Sequence, residues 1–483
     1  MDAGGSPSRH HHRAREGPEA QGRLAPSRVA SVTRDLSTIV KAYDVRGLVP
    51  AELDADIARA LGAAFARFTG APRIVTARDM RESGVELSAA FAEGVTSQGV
   101  DVVEAGLGST DLLYYAAGTM DVPGAMFTAS HNPARYNGIK LCLSGARPVG
   151  QDSGLAQLRE DAEAYLDSGL PAYGGKPGTV TQQDVLAGYA AYMKELVPGI
   201  EAIRRLSVVV DAGNGMGGHT VPAVFAGLPL DTTSMYFELD GSFPNHEANP
   251  IDPANTADLQ ARVLAEGADV GLAFDGDADR CFVIDERGEI VSPSVLTALI
   301  AERELKKAPG STVIHNLITS KAVPEVVTEN GGTPVRTRVG HSFIKAEMAR
   351  TGAIFGGEHS GHFYFAQFWN ADSGMLAALH TLAALGTYDG PLSQLLTSYD
   401  RYAASGEINS TVDDQAGRLE KIQERYADLE LDEMDGLTVQ SPDGWWFNVR
   451  ASNTEPLLRL NVEAPDEATM ERVRDEVLGL IGG

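Results

Sequence analysis

From residue 37 onward the chain repeats one rhythm. A short apolar run closes on a polar or glycine-rich loop, and a stretch follows in which apolar residues recur every three or four positions. The short runs at 74–75, 124–128, 206–211, 270–274, 312–315 and 353–355 read as strands, because brief apolar segments bounded by turn residues fit a buried sheet. Helical periodicity marks 53–69, 88–98, 257–265, 294–306, 320–329 and 343–350. Strands alternating with helices predict α/β units with parallel or mixed sheets, whose ligands sit at strand ends, so the chemistry is expected in the loops that follow strands. The last section breaks the rhythm: strands are predicted at 402–409, 437–440, 445–449 and 457–462, closed by a helix over 467–481. An apolar run around 375–385 is interrupted by His380 and too short for a bilayer, so it reads as a buried helix.

The pattern gives an α/β protein, three α/β domains with mixed sheets plus a smaller C-terminal α+β domain. Loop-like stretches at 171–178, 285–293 and 388–400 set expected domains at 37–178, 179–289, 290–400 and 401–483, with no tight sequence repeat among them. Residues 1–36 are rich in Gly, Pro, Ser and Arg without an apolar period, and are expected to form a disordered tail in which His10, His11 and His12 are inert. Composition changes little: 43% hydrophobic and 22% charged residues exclude a fibrous or wholly disordered chain. Charge says more. With Lys plus Arg at 40 and Asp plus Glu at 66, the net charge of −26 opposes nucleic acid and anionic membranes as partners. Two cysteines, Cys142 and Cys281, make neither a disulfide framework nor a metal-ligand pattern, and a cytoplasmic location is expected.

Four post-strand loops carry candidate chemistry. Thr128-Ala129-Ser130-His131-Asn132-Pro133 suggests a helix start at Asn132-Pro133, with free N–H groups gathered beside Ser130 as an anion site; Lys140 would return over an Asn137-Gly138 turn. A surface turn with a capping serine is the plainer alternative. Asp275-Gly276-Asp277-Ala278-Asp279-Arg280 places three carboxylates on a tight loop, where they repel unless an oxygen-seeking cation such as Mg²⁺ gathers them. An EF-hand is rejected, since Arg280 stands where that loop needs glycine. Gly356-Gly357-Glu358-His359-Ser360-Gly361-His362 would put Glu358, Ser360 and His362 on one side of an extended loop suited to a polyhydroxylated ligand. Arg450-Ala451-Ser452-Asn453-Thr454 offers a guanidinium, two hydroxyls and an amide to a phosphate. Gly213-Asn214-Gly215-Met216-Gly217-Gly218 matches a dinucleotide fingerprint, but no acid closes a clear second strand about 20 residues on, and a structural strand-to-helix turn is the preferred reading.

Taken in order, these loops resemble the α-D-phosphohexomutase superfamily, and within it the bacterial phosphomannomutase/phosphoglucomutase family. Tyr43-Asp44-Val45-Arg46-Gly47 is similar to the family's opening motif and Gly340-His341-Ser342 to a further active-site segment, so the likeness runs from about Ser37 to the C-terminus. It implies four domains around one central active-site cleft. It further implies that Ser130 is the phosphorylated serine, and that Asp275, Asp277 and Asp279, with Ser130, surround Mg²⁺. Glu358 and Ser360 would meet sugar hydroxyls, and Arg450, Ser452, Asn453 and Thr454 the phosphate that is not reacting. Arg46, Asn132, Lys140, Arg280, His341 and His362 match further cleft positions, with Lys140 and His362 as candidates for proton transfer. Ile318 departs from the family's basic residue, for which Lys321 or Arg338 are candidate substitutes.

The implied activity is reversible interconversion of hexose 1-phosphate and hexose 6-phosphate, of mannose and also of glucose. It would run through a phosphoserine and a hexose 1,6-bisphosphate, the latter both intermediate and activator. A metal-dependent sugar-phosphate phosphatase and a non-catalytic sugar-phosphate sensor are the alternatives; a second phosphate cradle favours the mutase. With the chain at −26, Arg46, Lys140, Arg280 and Arg450 must supply positive charge locally, inside a Debye length of about 8 Å.

Overall fold

The computed structural model describes Met1 and residues 34–452 and 456–482. The expectation of a disordered tail over 1–36 therefore falls almost wholly outside the described residues, as do Asn453 and Thr454 of the phosphate cradle.

Four sheets follow one another along the chain, and the first three share a strand order. In the first, Arg73–Arg78 pairs in parallel with Asp101–Leu107 and Gly124–Phe127. From Gly124–Phe127 the chain turns back as Tyr136–Leu143, which is antiparallel and takes Val45–Leu48 on its far side. The second sheet repeats this with Leu206–Asp211 between Leu230–Met235 and Val270–Phe274, then a hairpin return at Cys281–Ile284. In the third, Thr312–Asn316 lies between Thr333–Thr337 and Phe355–Gly357, and Phe363–Phe365 is the return. The fourth sheet is antiparallel throughout, with Trp446–Ala451 turning into Leu457–Ala464 and the helix Glu467–Gly482 closing it. The first three of the loops singled out above are thus hairpin turns, each at the end of a buried strand.

Local sequence explains most elements. Ala55–Thr69 starts where the Asp54 side chain accepts from Ile57 N and stops at left-handed Gly70, and its apolar stripe faces inward. Gly374–Thr387 is apolar all round and buried through Gly386, as expected of the 375–385 run. Two expectations shift. The strand placed at 353–355 begins only at Phe355, because the N–H groups of Gly352 and Ala353 both close the preceding helix on Met348 O. Asn137-Gly138 is not a turn but part of the return strand, and the glycine is needed there: a Cβ would lie 2.3 Å from Val45 O.

One continuous apolar cluster runs through the first three sheets and the helices Thr110–Met120, Leu186–Leu196 and Gly374–Thr387 between them. The fourth sheet has its own core, around Phe447, Leu460 and Val473.

Candidate active site

Gly124–Phe127 is buried along its length, and the chain leaves it at Thr128, whose hydroxyl accepts from Ser130 N at 2.9 Å. Ser130 then takes a left-handed backbone, φ 50°. No helix starts at Asn132-Pro133, contrary to expectation: Asn132 N donates to Ala129 O and Tyr136 N to Pro133 O, because the chain must reverse to pair as a strand. Polar side chains, not helix N–H groups, therefore surround the serine. Ser130 Oγ donates to Asp275 Oδ2 at 2.9 Å and accepts from Arg280 Nη2 at 3.3 Å. Arg46, on the strand beside the return, donates to Asn132 Oδ1 at 2.7 Å.

The second hairpin turn brings Asp275, Asp277 and Asp279 together, with one oxygen of each within 4.8 Å of the others, all at most 1% exposed. Lys140 Nζ bridges Asp277 Oδ2 at 2.7 Å and Asp279 Oδ2 at 2.6 Å; Arg280 caps Asp275 through Nε at 3.0 Å and Nη2 at 2.8 Å. Burial pushes the Asp275 carboxyl up to about 7 against the pull of Arg280. Burial also opposes the charge on Lys140, but Asp277 and Asp279 outweigh it and hold the ammonium well above its usual range. Among the described residues Asp277 Oδ1 and Asp279 Oδ1 have no hydrogen-bond partner, though both are buried. Two orphaned carboxylate oxygens in an all-oxygen donor set fit a hard divalent cation.

Gly276 is where the two turns touch, since a Cβ there would fall 2.5 Å from Ser130 O. Gly276→Ala is expected to push the loops apart and lower kcat by on the order of 10²-fold, as displacements of about 1 Å do. Steady-state rates beside a melting curve check this. The Gly213–Gly218 segment proves to be a buttress of the same loop: Met216 N donates to Gly276 O at 2.9 Å as the helix Gly217–Phe225 begins.

The third loop is a tight turn rather than an extended segment, closed by Glu358 N on His362 O and Gly361 N on Glu358 O. Glu358, 2% exposed, accepts from Tyr364 OH at 2.7 Å, Gly340 N at 3.1 Å and, more loosely, Ser360 Oγ at 3.5 Å. His341 opens the helix His341–Thr351 directly after Gly340. His362 Nδ1 lies 2.9 Å from Asp372 Oδ2, while Lys345 Nζ sits 2.6 Å from Asp372 Oδ1. Burial draws the imidazole pKa down, but the bond to Asp372 outweighs it and the net shift is upward. Atoms of Asp279, His362 and Asp372 lie within 4.8 Å of one another, so the second and third turns meet.

In the fourth unit Arg450 Nη2 donates to Glu407 at 2.6 Å, its Nε is buried without a hydrogen-bond partner among the described residues, and Ser452 N donates to Leu457 O. Charge from Glu407 and Arg450 reaches half-buried His359, so this loop faces the third. Ile318 is buried; Lys321 Nζ donates to Gly444 O and Arg338 stacks on Phe343. The four cations expected to offset the protein's charge are each paired already: Arg46 with Asp44, Lys140 with Asp277 and Asp279, Arg280 with Asp275, Arg450 with Glu407.

Sequence reading missed Thr110, Asp111 and Asp372. Thr110 donates to Asp277 through N at 3.0 Å and Oγ1 at 2.6 Å. Asp111 accepts hydroxyl bonds from Ser109, from Tyr189 at 2.9 Å and from Ser373 at 2.6 Å, and burial pushes it up to about 7. The available signal was Ser109-Thr110-Asp111 at a helix start after the strand Asp101–Leu107.

Models of the phosphoglucomutase/phosphomannomutase family match in four successive stretches: α/β/α domain I over residues 37–165, domain II over 187–288, domain III over 292–402 and the C-terminal domain over 407–480. The chain is 38% identical over 456 residues to a phosphomannomutase of Escherichia coli, covering 92% of this chain and 99% of that one. It is 36% identical to a phosphoglucomutase of Neisseria gonorrhoeae over 466 residues, covering 94% and 98%. Among solved structures, a phosphoglucomutase/phosphomannomutase family protein from Burkholderia thailandensis superposes with a TM-score of 0.80 at 33% identity, covering 92% of this chain and 96% of that one.

Proposed function

Because the chain belongs to the phosphoglucomutase/phosphomannomutase family, and so is a mutase that interconverts hexose 1-phosphate and hexose 6-phosphate, we propose that Ser130 carries the phosphoryl group. The observation that supports this most is the seating of Ser130 Oγ, 2.9 Å from Asp275 and 3.3 Å from Arg280 beside a cluster of buried carboxylates. In the first half-reaction the bond between phosphorus and Ser130 Oγ breaks as one forms to the C6 oxygen of a hexose 1-phosphate. His362, oriented through Nδ1 by Asp372, takes the hydroxyl proton. Lys140, an ammonium, steadies the charge left on Oγ. The 1,6-bisphosphate reorients, and its C1 phosphoryl group returns to the serine.

Asp275, Asp277 and Asp279, with a phosphate oxygen on Ser130, would hold Mg²⁺, which when bound supplies positive charge to the phosphoryl oxygens. Arg46, Asn132 and Arg280 line the reacting end. Arg450 with Ser452, Asn453 and Thr454 is assigned the phosphate that is not reacting, and His341 a place in the cleft between. The relatives are named as mutases, and no observation favours the phosphatase. The test is conversion of mannose 1-phosphate to mannose 6-phosphate without phosphate release, with intact mass showing one phosphate on the Ser130 peptide. Stoichiometric phosphate release without isomerisation would overturn the reading.

Sugar range follows from Glu358 and Ser360. Reversal of the sugar exchanges C1 and C6, while hydroxyls 3 and 4 keep the same protein contacts. Glucose and mannose differ only at C2, so both 1-phosphates are expected as substrates. Galactose 1-phosphate, inverted at C4, leaves a buried group unpaired at about 1–3 kcal/mol. Its kcat/KM is expected to be roughly 5- to 150-fold lower; equal kinetics for all three sugars would remove Glu358 from this role.

A further inference from the structure

Arg81 is an arginine only 1% exposed. It follows the strand Arg73–Arg78 in the loop Asp79-Met80-Arg81. Asp79, fully buried, fixes it from behind: Oδ1 accepts from Arg81 N at 2.9 Å and Oδ2 from Nε at 3.2 Å. The rest of the guanidinium is spent on one object. Nη2 donates to Ser130 O at 2.9 Å and Asn132 O at 2.7 Å, and Nη1 to Pro133 O and Tyr136 O, both at 3.0 Å. These four carbonyls follow the serine turn from the nucleophile to the start of the return strand.

A buried guanidinium costs more than an apolar side chain of the same volume, so packing alone does not account for it. What it supplies is a rigid fork of donors that a lysine lacks. One of its four acceptors is the carbonyl of Ser130 itself, the residue with the left-handed backbone. The same oxygen is the atom over which Gly276 passes, so it sets both the direction of Oγ and the seat of the aspartate loop. The second unit holds the arginine in turn: the Phe243 ring lies 5.1 Å from the guanidinium, and a Cβ on Gly241 would fall 2.8 Å from Arg81 Cα.

We propose that Arg81 is the positioning residue of the phosphoryl carrier: by gripping the four carbonyls of the serine turn, it aims Ser130 Oγ in both half-reactions without touching substrate. The proposal rests on Ser130 being that carrier. Arg81→Lys keeps the charge and loses the fork. It is expected to lower kcat by on the order of 10²-fold in both directions, with KM for the hexose phosphate unchanged. Single-turnover transfer from phosphorylated Ser130 to hexose 6-phosphate should fall by the same factor.

Should that variant not fold, Phe243→Ala, at a half-buried site, removes only the ring over the guanidinium. Its expected loss in kcat is about 2- to 30-fold at constant KM. Wild-type kcat in a folded Arg81→Lys protein, a loss confined to KM, or an unchanged kcat in Phe243→Ala when Arg81→Lys does not fold would each overturn the proposal. Absence of phosphate from Ser130 in active wild-type enzyme would instead overturn the carrier assignment, and mass analysis of that peptide separates the two failures.

Discussion

Ser130→Ala is expected to be folded and without turnover, its rate lower by on the order of 10⁴- to 10⁶-fold, the scale of losing a covalent nucleophile. In the proposed mechanism the hydroxyl oxygen gives up and takes back the phosphoryl group, and its neighbours are poor substitutes: the half-buried His131 imidazole is drawn down to about 2 by burial and Arg280, and Thr128 accepts from Ser130 N. Alanine inherits the left-handed backbone, which disfavours any residue with a Cβ by about 1–2 kcal/mol. Ser130→Gly removes that strain. It should melt no lower than the alanine variant and be equally inactive, so the pair separates the chemistry from the fold. Measurable turnover in either variant would remove the phosphoserine from the mechanism.

Removing divalent metal should be the next largest effect. Three carboxylates buried within a few ångströms of one another are paired with two cations, Lys140 and Arg280, and two of their oxygens have no hydrogen-bond partner among the described residues. If the ion supplies about 3 kcal/mol to the transition state, excess chelator lowers the rate by roughly a hundredfold, reversibly on adding Mg²⁺. Binding also stabilises the fold, by about 2.7 kcal/mol at a hundred times Kd, so the melting temperature should rise with Mg²⁺ concentration. Asp277→Asn should blunt both responses. An unchanged rate in chelator would return the cluster to a purely structural role balanced by Lys140.

Much of this was legible in the sequence. Val270–Phe274 and Cys281–Ile284 are apolar runs around an acidic turn, so strand, loop and carboxylate cluster were visible together. Ser130 was singled out at a strand end, but its setting was misjudged: Asn132-Pro133 carries the local signature of a helix start, while the return of the chain as a strand between Gly124–Phe127 and the distant Val45–Leu48 decides the outcome. Lys140 was found without its partners, because Asp277 and Asp279 lie far along the chain. Asp111 and Arg81 were missed for the same reason: each looks like an ordinary post-strand residue until Ser373 or Asn132 is brought beside it.

The continuous core has a consequence for how the molecule comes apart. By architecture there are four units, yet Val75, Val210 and Phe355 belong to one apolar cluster, whereas Phe447 and Leu460 belong to another. Residues that share a core melt together. A break in the chain anywhere within the first three units splits a common interior and exposes apolar surface on both fragments. A break near residue 400 parts two interiors already separate. The first unit has a further core around Phe65 and Phe91, but its sheet also contributes Val75 to the shared cluster, so the protein is expected to come apart as two bodies rather than four. Its serine, aspartate and glutamate turns stand on one of them and Arg450 on the other, so loosening the small body should dismantle the proposed far phosphate seat while leaving the proposed reacting end assembled.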